Sequence, residues 1–232
     1  MKILMLIKKI INSYGYDIKK YRPLFKETIK PFNITTVLDI GANNGHYAKN
    51  IRHLLPTARI YSFEPLADCY QQLTANMATD TNFKAFNVAL GDTDQEATIN
   101  LSSFHPSSSI LPMGELHKKL YPKSKDSTPQ KIKIKKLDDI LPAEKLIDDI
   151  LIKIDVQGFE DKVIIGGENV IKKAKVVIVE TSFITLYESQ PLFDDIYHQM
   201  KNLNFNYFGS LERHYDPHSG QLIYEDSIFI KQ

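Results

Sequence analysis

Short apolar runs rich in β-branched residues alternate with helix-patterned stretches from about residue 36 onward. The runs Thr36–Ile40, Arg59–Phe63 and Phe83–Val88 are predicted strands, and Ile150–Ile154 and Val176–Val179 resume the series later in the chain. Strands separated by helical stretches are typical of βαβ units, whose strands run parallel. The sequence therefore predicts an α/β fold built on a parallel sheet.

The alternation is interrupted after the third predicted strand. Ala97–Leu101 and Lys131–Lys135 alternate polar with apolar residues, as half-exposed strands do, and predict an antiparallel insertion. Between them lies a Ser-, Pro- and Lys-rich stretch, which we interpret as a long, lid-like loop at about residues 102–130. Two further predicted strands, Phe205–Phe208 and Ser227–Ile230, are joined by a loop near the end of the chain.

The 232 residues favour one elaborated domain, which we expect over residues 34–232. Residues 1–33 are expected to form a helical segment packed on that domain, because apolar residues recur at helical spacing between Ile3 and Tyr14. An alternative is a basic amphipathic segment that contacts a membrane surface through residues 2–14. No run approaches the ~20 apolar residues of a membrane span, so no transmembrane segment is expected.

Charge and cysteine content restrict the partners and the compartment. The chain has 29 Lys and Arg against 28 Asp and Glu, a net charge of +1, so nucleic acid is not an expected partner. The single cysteine, Cys69, has no partner for an internal disulfide, which favours a reducing, cytoplasmic location. No structural zinc is expected, and the oligomeric state stays open.

A glycine-containing turn, Asp39-Ile-Gly-Ala-Asn-Asn-Gly45, joins the first predicted strand to the next helix. Gly41 and Gly45 allow the backbone to turn tightly and to approach a ligand closely. Glu64 follows the second predicted strand, where a carboxylate is positioned to accept two hydrogen bonds from a ribose diol. The turn and the carboxylate together predict a nucleoside-binding site.

The turn differs from the G-x-G-x-x-G pattern of dinucleotide binders, since Asp39 precedes the first glycine and a third glycine is absent. An acidic turn repels a pyrophosphate but suits a ligand that carries an ammonium and a sulfonium, such as S-adenosylmethionine. A NAD-dependent oxidoreductase remains an alternative, because it would share the fold and Glu64. An alternative role for Asp39 is to bind the backbone amides of the turn itself.

Five ordered segments, spread over about residues 34–230, resemble the successive motifs of the FkbM family of class I methyltransferases. They are Val37–Gly45, Tyr61–Pro65, Asn87–Asp92, Leu151–Glu160 and Val177–Glu180. The resemblance implies a Rossmann-like class I methyltransferase fold, with a mostly parallel seven-stranded sheet and helices on both faces. It also implies methyl transfer from S-adenosylmethionine, typically to a hydroxyl oxygen of a sugar, glycan or natural product. Family members more often carry Glu where this chain has Gln157.

The resemblance also implies which residues hold the cofactor. They are Asp39, Gly41, Asn43 and Gly45 in the turn, Glu64 and Pro65 after the second strand, and Asn87 and Ala89 after the third. Asp92, in the same segment as Asn87, is interpreted as an ordinary turn residue.

Ligands of open α/β sheets bind beyond the carboxyl ends of the strands, which puts Asp155 and Glu180 beside the methyl acceptor. Because an alcohol is a poor nucleophile, its methylation calls for a base or a metal ion. We predict that Asp155 acts as the base without a metal; alternatively, Asp155 and Glu180 hold a divalent cation. A structural alternative is that Asp155 caps the turn at Gly158, with Glu160 in the first turn of the next helix.

Histidines supply further candidates for the acceptor side. His105, in the predicted lid, is a candidate base because imidazole accepts a proton near neutral pH, although the serines around it also suit a solvated loop. His214 and His218 lie in a turn-rich segment and are interpreted as surface residues or as part of the acceptor pocket. A nucleoside-binding scaffold without catalytic activity is the third functional alternative, which Asp155 and Glu180 disfavour.

Overall fold

The computed structural model describes residues 24–146 and 149–232, together with Ile7, Lys9, Ile11, Ser13 and Tyr14. The helical segment predicted for residues 1–33 and the alternative membrane contact through residues 2–14 therefore lie largely outside the described residues. Within the described ranges, no helix combines the length and the apolar character needed to cross a bilayer.

Strands and helices alternate through most of the described chain. The strands are β1 (Thr36–Ile40), β2 (Arg59–Phe63), β3 (Phe83–Phe86), β4 (Ala89–Leu90), β5 (Gln95–Ser102), β6 (Ser127–Lys135), β7 (Ile150–Ile154), β8 (Ala174–Ser182), β9 (Phe205–Tyr215) and β10 (Leu222–Lys231). The α-helices are α1 (Leu24–Ile29), α2 (His46–Leu54), α3 (Ala67–Asn76), α4 (Glu115–Leu120), α5 (Leu137–Ile140), α6 (Glu160–Gly166), α7 (Glu168–Lys173) and α8 (Phe193–Asn202).

Seven strands form the main sheet in the order β3-β2-β1-β7-β8-β10-β9. β10 runs antiparallel to β8 and β9, and the other neighbouring pairs are parallel. Successive side chains of β1 enter different cores, because strand side chains alternate between faces. Val37 packs in a core with residues of α2 and α3, and Leu38 in a core with residues of α6, α7 and α8. The predicted seven-stranded α/β fold with helices on both faces is confirmed.

A second sheet of three strands, in the order β4-β6-β5, follows β3 in the chain. β5 and β6 pair antiparallel along their length, as the sequence predicted, and β4 adds a short parallel partner to β6. The connection between β5 and β6 is residues 103–126, and it contains α4 and two 3-10 turns, His105–Ser107 and Pro122–Ser124. The interpretation of this connection as a long loop is therefore corrected to a partly helical segment.

Predicted and observed strand ends agree best at the centre of the sheet. β1, β2 and β7 have the predicted bounds, and every residue of β1 is buried. β9 and β10 extend well beyond Phe205–Phe208 and Ser227–Ile230 because they pair with each other as a long antiparallel hairpin, and β10 also pairs with β8 from Tyr224 onward. In that extension, backbone pairing rather than an apolar run holds the strand together, so the hydrophobic pattern does not reveal it.

Candidate active site

A cavity of about 580 Å³ opens at the carboxyl ends of β1, β2, β7 and β8. Of the predicted cofactor residues, Gly41, Asn43, Glu64, Pro65 and Ala89 line it. The predicted catalytic residues Asp155, Glu180 and His105 line the same cavity. Asp39, Gly45 and Asn87 are not among its lining residues.

The turn after β1 is packed directly against the end of β7. Gly41 has φ +82°, and a Cβ at this position would lie 1.8 Å from the backbone oxygen of Asp155. Gly45 also has a positive φ, +86°, and precedes α2, where a Cβ would lie 2.7 Å from Leu73 Cδ1. Both glycines are therefore required by backbone conformation and by close packing.

Glu64 is held at the end of β2 by two loops. The backbone N–H of Asn43 donates to Glu64 Oε2 and that of Leu66 donates to Oε1, each at 2.8 Å. The side chain is nearly buried, and burial raises its pKa to about 7. Asn87 donates through Nδ2 to the backbone oxygens of Glu64 and Pro65, at 2.9 and 3.0 Å. Asn87 thus positions this segment rather than facing the cavity.

Asp39 is fully buried beneath the turn. Its Oδ1 has no hydrogen-bond partner among the described residues, and Oδ2 accepts only a long bond, 3.4 Å, from Ser62 Oγ. Burial raises its pKa to about 6, against the opposing charge of Lys153. The turn amides bond elsewhere: those of Gly41 and Ala42 donate to the Phe63 oxygen. The alternative in which Asp39 binds the amides of its own turn is therefore wrong.

The cavity is apolar beside Glu64. Ala89 lies on β4 and lines the cavity with Leu66, Val88, Leu90 and Ile99. A flat, weakly polar group such as a purine ring would find an apolar wall there. Asp92, interpreted as a turn residue, is not among the lining residues and pairs with Lys162 at 3.3 Å.

Five polar side chains form a network at the ends of β7 and β8. Gln157 donates through Nε2 to Asp155 Oδ1 and to Glu180 Oε1, both at 2.8 Å. Lys153 Nζ lies 2.7 Å from Asp155 Oδ2. Tyr187 completes the network by donating its hydroxyl to Gln157 Oε1 at 2.9 Å. Both carboxylate oxygens of Asp155 therefore have a donor.

The pKa values of the two carboxyl groups in this network are shifted in opposite directions. Burial alone would raise the pKa of Asp155, but the Lys153 ammonium and the donor bonds outweigh it and hold that pKa below its ordinary value. The pKa of Glu180 is raised well above its ordinary value by burial and by the charge of Asp155. At neutral pH, Asp155 is the anion that pairs with Lys153, and the raised pKa of Glu180 favours its protonated form relative to an exposed carboxyl.

Glu160, not Asp155, caps the turn after β7. Its Oε1 accepts the backbone N–H groups of Val156 and Gly158, each at 3.1 Å. The side chain is buried and does not line the cavity. The structural alternative for Asp155 is therefore wrong, and the Asp155 side chain is directed to Lys153 and Gln157 instead.

Glu160→Gln is expected to make the stability of the protein less dependent on pH. Burial raises the pKa of Glu160 from 4.5 to about 7. The unfolded carboxyl loses its proton first, so the stability that this group contributes is complete below pH 4.5 and is lost between about pH 4.5 and 7. The loss amounts to about 3 kcal/mol. Urea unfolding at pH 5 and pH 8 measures it, and Glu168→Gln, at an exposed carboxyl on α7, is the control. Equal pH dependence in wild type and Glu160→Gln would contradict the assignment.

The three candidate histidines lie in different parts of the structure. His105 lines the cavity and its Nδ1 lies 3.3 Å from Cys69 Sγ on α3. His214 stacks on Tyr224 at the exposed end of the hairpin, with ring centroids 4.2 Å apart, and His218 is exposed in the hairpin turn. Neither is among the lining residues, so the surface interpretation holds for both.

Several lining residues were not selected from the sequence. Lys153 could have been selected from the sequence, because it is a charged residue inside the otherwise apolar strand β7. Tyr47 and Asp226 lie within helical and strand patterns that do not distinguish them from ordinary surface or core residues. No sequence pattern distinguishes His117, since the segment that carries it has no recognisable motif. Within the described part of the chain, no group of three or more His, Cys, Asp or Glu is arranged to hold a metal ion.

The seven-stranded sheet, with the antiparallel strand β10 inserted between β8 and β9, has the class I methyltransferase fold. The model of the FkbM methyltransferase domain matches residues 39–207, which is more than half of the chain. The chain therefore belongs to the FkbM methyltransferase family, as the resemblance of its motifs implied. This assignment favours a methyltransferase over a NAD-dependent oxidoreductase.

Two curated relatives and one solved structure are similar to the chain. The 2-O-methyltransferase NoeI of Sinorhizobium fredii is 29% identical over 185 residues, covering 75% of this chain and 73% of its own. The methyltransferase sdnD of Sordaria araneosa is 28% identical over 201 residues, again covering 75% and 73%. An FkbM methyltransferase structure from Methylobacillus flagellatus superimposes with a TM-score of 0.50 at 13% identity, covering 85% of this chain and 44% of that chain. At that identity the structure supports the fold alone.

Proposed function

We propose that this protein transfers a methyl group from S-adenosylmethionine to a hydroxyl oxygen of a sugar, glycan or natural-product acceptor. One observation carries the proposal: a single cavity is lined both by Glu64, fixed by two loop amides, and by the Asp155–Gln157–Glu180 network. The first group is suited to a ribose diol. The second lies two to three strands away, where an acceptor would meet the transferred methyl.

The described residues suit this cofactor. The volume of about 580 Å³ lies within the range of small-molecule sites. The residues that would hold it are the Gly41–Gly45 turn for the methionine part, Glu64 for the ribose and the wall around Ala89 for adenine. Asp39 Oδ1 and the Tyr47 hydroxyl are buried polar atoms without a hydrogen-bond partner among the described residues, beside this turn. Tyr47 is a lining residue, so its hydroxyl remains available to a ligand's polar group, whereas Asp39 lies outside the cavity lining.

When bound, S-adenosylmethionine supplies an electrophilic methyl group on a cationic sulfonium. The residues around Lys153 provide a field of the opposite sign, since Asp39, Asp155 and Asp226 all lie near its ammonium. Asp155 is the carboxylate of that group held in its ionised form, and Lys153 and Gln157 fix its orientation. A fixed negative charge beside a cationic ligand is an electrostatic contribution that water would not supply.

Methylation at oxygen is supported by the Sinorhizobium fredii relative, whose name specifies 2-O-methylation. A metal-free route is supported by Gln157, because its amide already bridges the two carboxyl groups that a divalent cation would otherwise bridge.

We also propose that residues 103–126, which supply His105 and other lining residues, form the acceptor-facing cover of the cavity.

Calorimetric titration of the purified protein with S-adenosylhomocysteine, S-adenosylmethionine and NAD tests the cofactor. Saturable binding of the two adenosyl ligands and no heat with NAD are expected. NAD binding alone would overturn the proposal.

Transfer of labelled methyl to a panel of hydroxylated glycosides tests the reaction. The expected result is transfer that persists in EDTA and is not increased by added Mg²⁺. Binding of the adenosyl ligands without transfer to any acceptor would favour the scaffold alternative, and transfer abolished by EDTA would overturn the metal-free route.

A further inference from the structure

His117 is a buried histidine whose hydrogen-bonding capacity is unused. It lies on α4, in the segment between β5 and β6, is 3% exposed and lines the cavity. Neither ring nitrogen has a hydrogen-bond partner among the residues that the structure describes. Buried polar side chains almost always have a partner, so an imidazole with two unpaired nitrogens at a cavity wall indicates that its partner is a ligand.

The ring of His117 is held firmly in place. It packs edge-on against Tyr121 and Tyr187, with centroids 5.0 and 4.9 Å away and interplanar angles of 72° and 73°. The start of α4 is fixed as well, because Gly114 donates its backbone N–H to the Leu186 oxygen at 2.8 Å. A Cβ at Gly114 would lie 2.9 Å from that oxygen. The imidazole therefore has a defined position rather than a mobile one.

His117 is joined to the catalytic network through one neighbour. The Tyr187 ring that contacts it donates its hydroxyl to Gln157 Oε1, and Gln157 bonds to Asp155 and Glu180. The imidazole thus lies on the acceptor side of the cavity, with Tyr121, Leu186 and Tyr224 as further lining residues. Aromatic and aliphatic walls around one polar group suit a molecule with both a carbon skeleton and hydroxyls.

Asp155 and His105, the two groups predicted to accept the proton, each already make a polar contact. Both oxygens of Asp155 accept hydrogen bonds, from Lys153 and from Gln157. Burial raises the pKa of Glu180 well above its ordinary value, which favours the protonated form. The Nδ1 of His105 faces Cys69 Sγ. Burial lowers the pKa of His117 to about 4, so its ring is neutral at pH 7 and one nitrogen carries a free lone pair.

We propose that His117 binds the acceptor hydroxyl that is methylated and receives its proton. The acceptor oxygen forms a bond to the methyl carbon as the carbon–sulfur bond breaks, the sulfonium becomes a neutral thioether, and the hydroxyl proton moves to a ring nitrogen of His117. The acceptor class is a polyhydroxylated ring with an apolar face, such as a pyranoside. This assignment rests on the proposed methyl transfer to oxygen and adds the residue that activates the acceptor.

The first measurement separates this proposal from the proposed function. S-Adenosylhomocysteine is titrated into wild type, His117→Ala, His117→Gln and the control His53→Ala, at an exposed position on α2. Equal affinity in all four proteins is expected, because His117 is assigned to the acceptor. Failure of wild type to bind would overturn the proposed function itself, whereas loss of binding in the His117 variants alone would overturn the assignment to the acceptor.

The second measurement does not depend on turnover. Ring ¹⁵N signals of His117, identified by their absence in His117→Gln, are followed while methyl pyranosides of glucose, galactose, mannose and fucose are added to the S-adenosylhomocysteine complex. At least one glycoside is expected to shift both signals. Binding of glycosides without a shift at His117, or failure of every glycoside to bind this complex, would overturn the assignment.

Chemical rescue tests proton transfer directly. With a glycoside that binds, labelled-methyl transfer is expected to fall at least 100-fold in His117→Ala and to recover at least tenfold on addition of free imidazole, while His53→Ala keeps wild-type activity. His117→Gln should preserve KM better than kcat, because an amide forms a hydrogen bond but does not take up the proton. An unchanged kcat in His117→Ala, or a loss that imidazole leaves unaltered, would overturn the role.

Discussion

Glu64→Ala is expected to weaken S-adenosylhomocysteine binding by about 100-fold or more, because two hydrogen bonds to a carboxylate contribute about 3 kcal/mol together. Calorimetric titration measures the change. The same substitution removes the acceptor of the Asn43 and Leu66 backbone N–H groups, so the melting temperature must be measured in parallel. A folded Glu64→Ala variant that binds with wild-type affinity would contradict the assignment of Glu64 to the ribose.

The pH dependence of binding separates the charge of Glu64 from its structural contacts. Its pKa of about 7 in the free protein means that the carboxyl is mostly protonated at pH 6. A ribose diol donates stronger hydrogen bonds to the ionised form than to the protonated one, so affinity should fall as pH decreases from 8 to 6 and binding near pH 7 should release a proton. Glu64→Gln, which has no titrating group, should lack this dependence. Asp92→Asn, outside the cavity, should retain it.

The predictable part of the fold is the part that is buried on both faces. β1 and β7 were predicted with their observed bounds because a strand covered by helices on each side requires a continuous apolar run. The outer half of the β9–β10 hairpin has no such requirement. Polar residues such as Arg213 and His214 are held there by the partner strand, and pairing between segments leaves no local hydrophobic pattern.

The candidate site also contains residues that the sequence predicts and residues that it does not. Gly41 and Glu64 were predictable because backbone conformation and strand-end position restrict the residue types that a nucleoside site accepts. Asn87 was selected with them, but its side chain binds the backbone of Glu64 and Pro65 instead of lining the cavity. His117 enters the site only because α4 packs against the loop at Leu186. That packing joins segments far apart in the chain, and no spacing in the sequence encodes it.

Asp155→Asn is expected to lower kcat for methyl transfer by about 100-fold to 1,000-fold while leaving S-adenosylhomocysteine affinity close to wild type. Asparagine has nearly the same shape and can keep contacts to Lys153 and Gln157, but it removes the negative charge. That charge favours binding of the cationic sulfonium over the neutral thioether, and it also stabilises the positive charge that passes to the acceptor side in the transition state. The preference for S-adenosylmethionine over S-adenosylhomocysteine should therefore also decrease, which competition calorimetry measures without an acceptor.

The matched control is Asp92→Asn, since Asp92 also pairs with a lysine, Lys162 at 3.3 Å, but lies outside the cavity. It should alter neither kcat nor ligand preference. Removing the charge of Asp155 leaves the buried Lys153 ammonium without its nearest anion, so a loss of stability of about 3 kcal/mol is expected with the loss of activity. Ligand preference distinguishes the two effects, because partial unfolding lowers both affinities equally. An unchanged preference in a folded Asp155→Asn variant would mean that this carboxylate supports Lys153 and not the sulfonium.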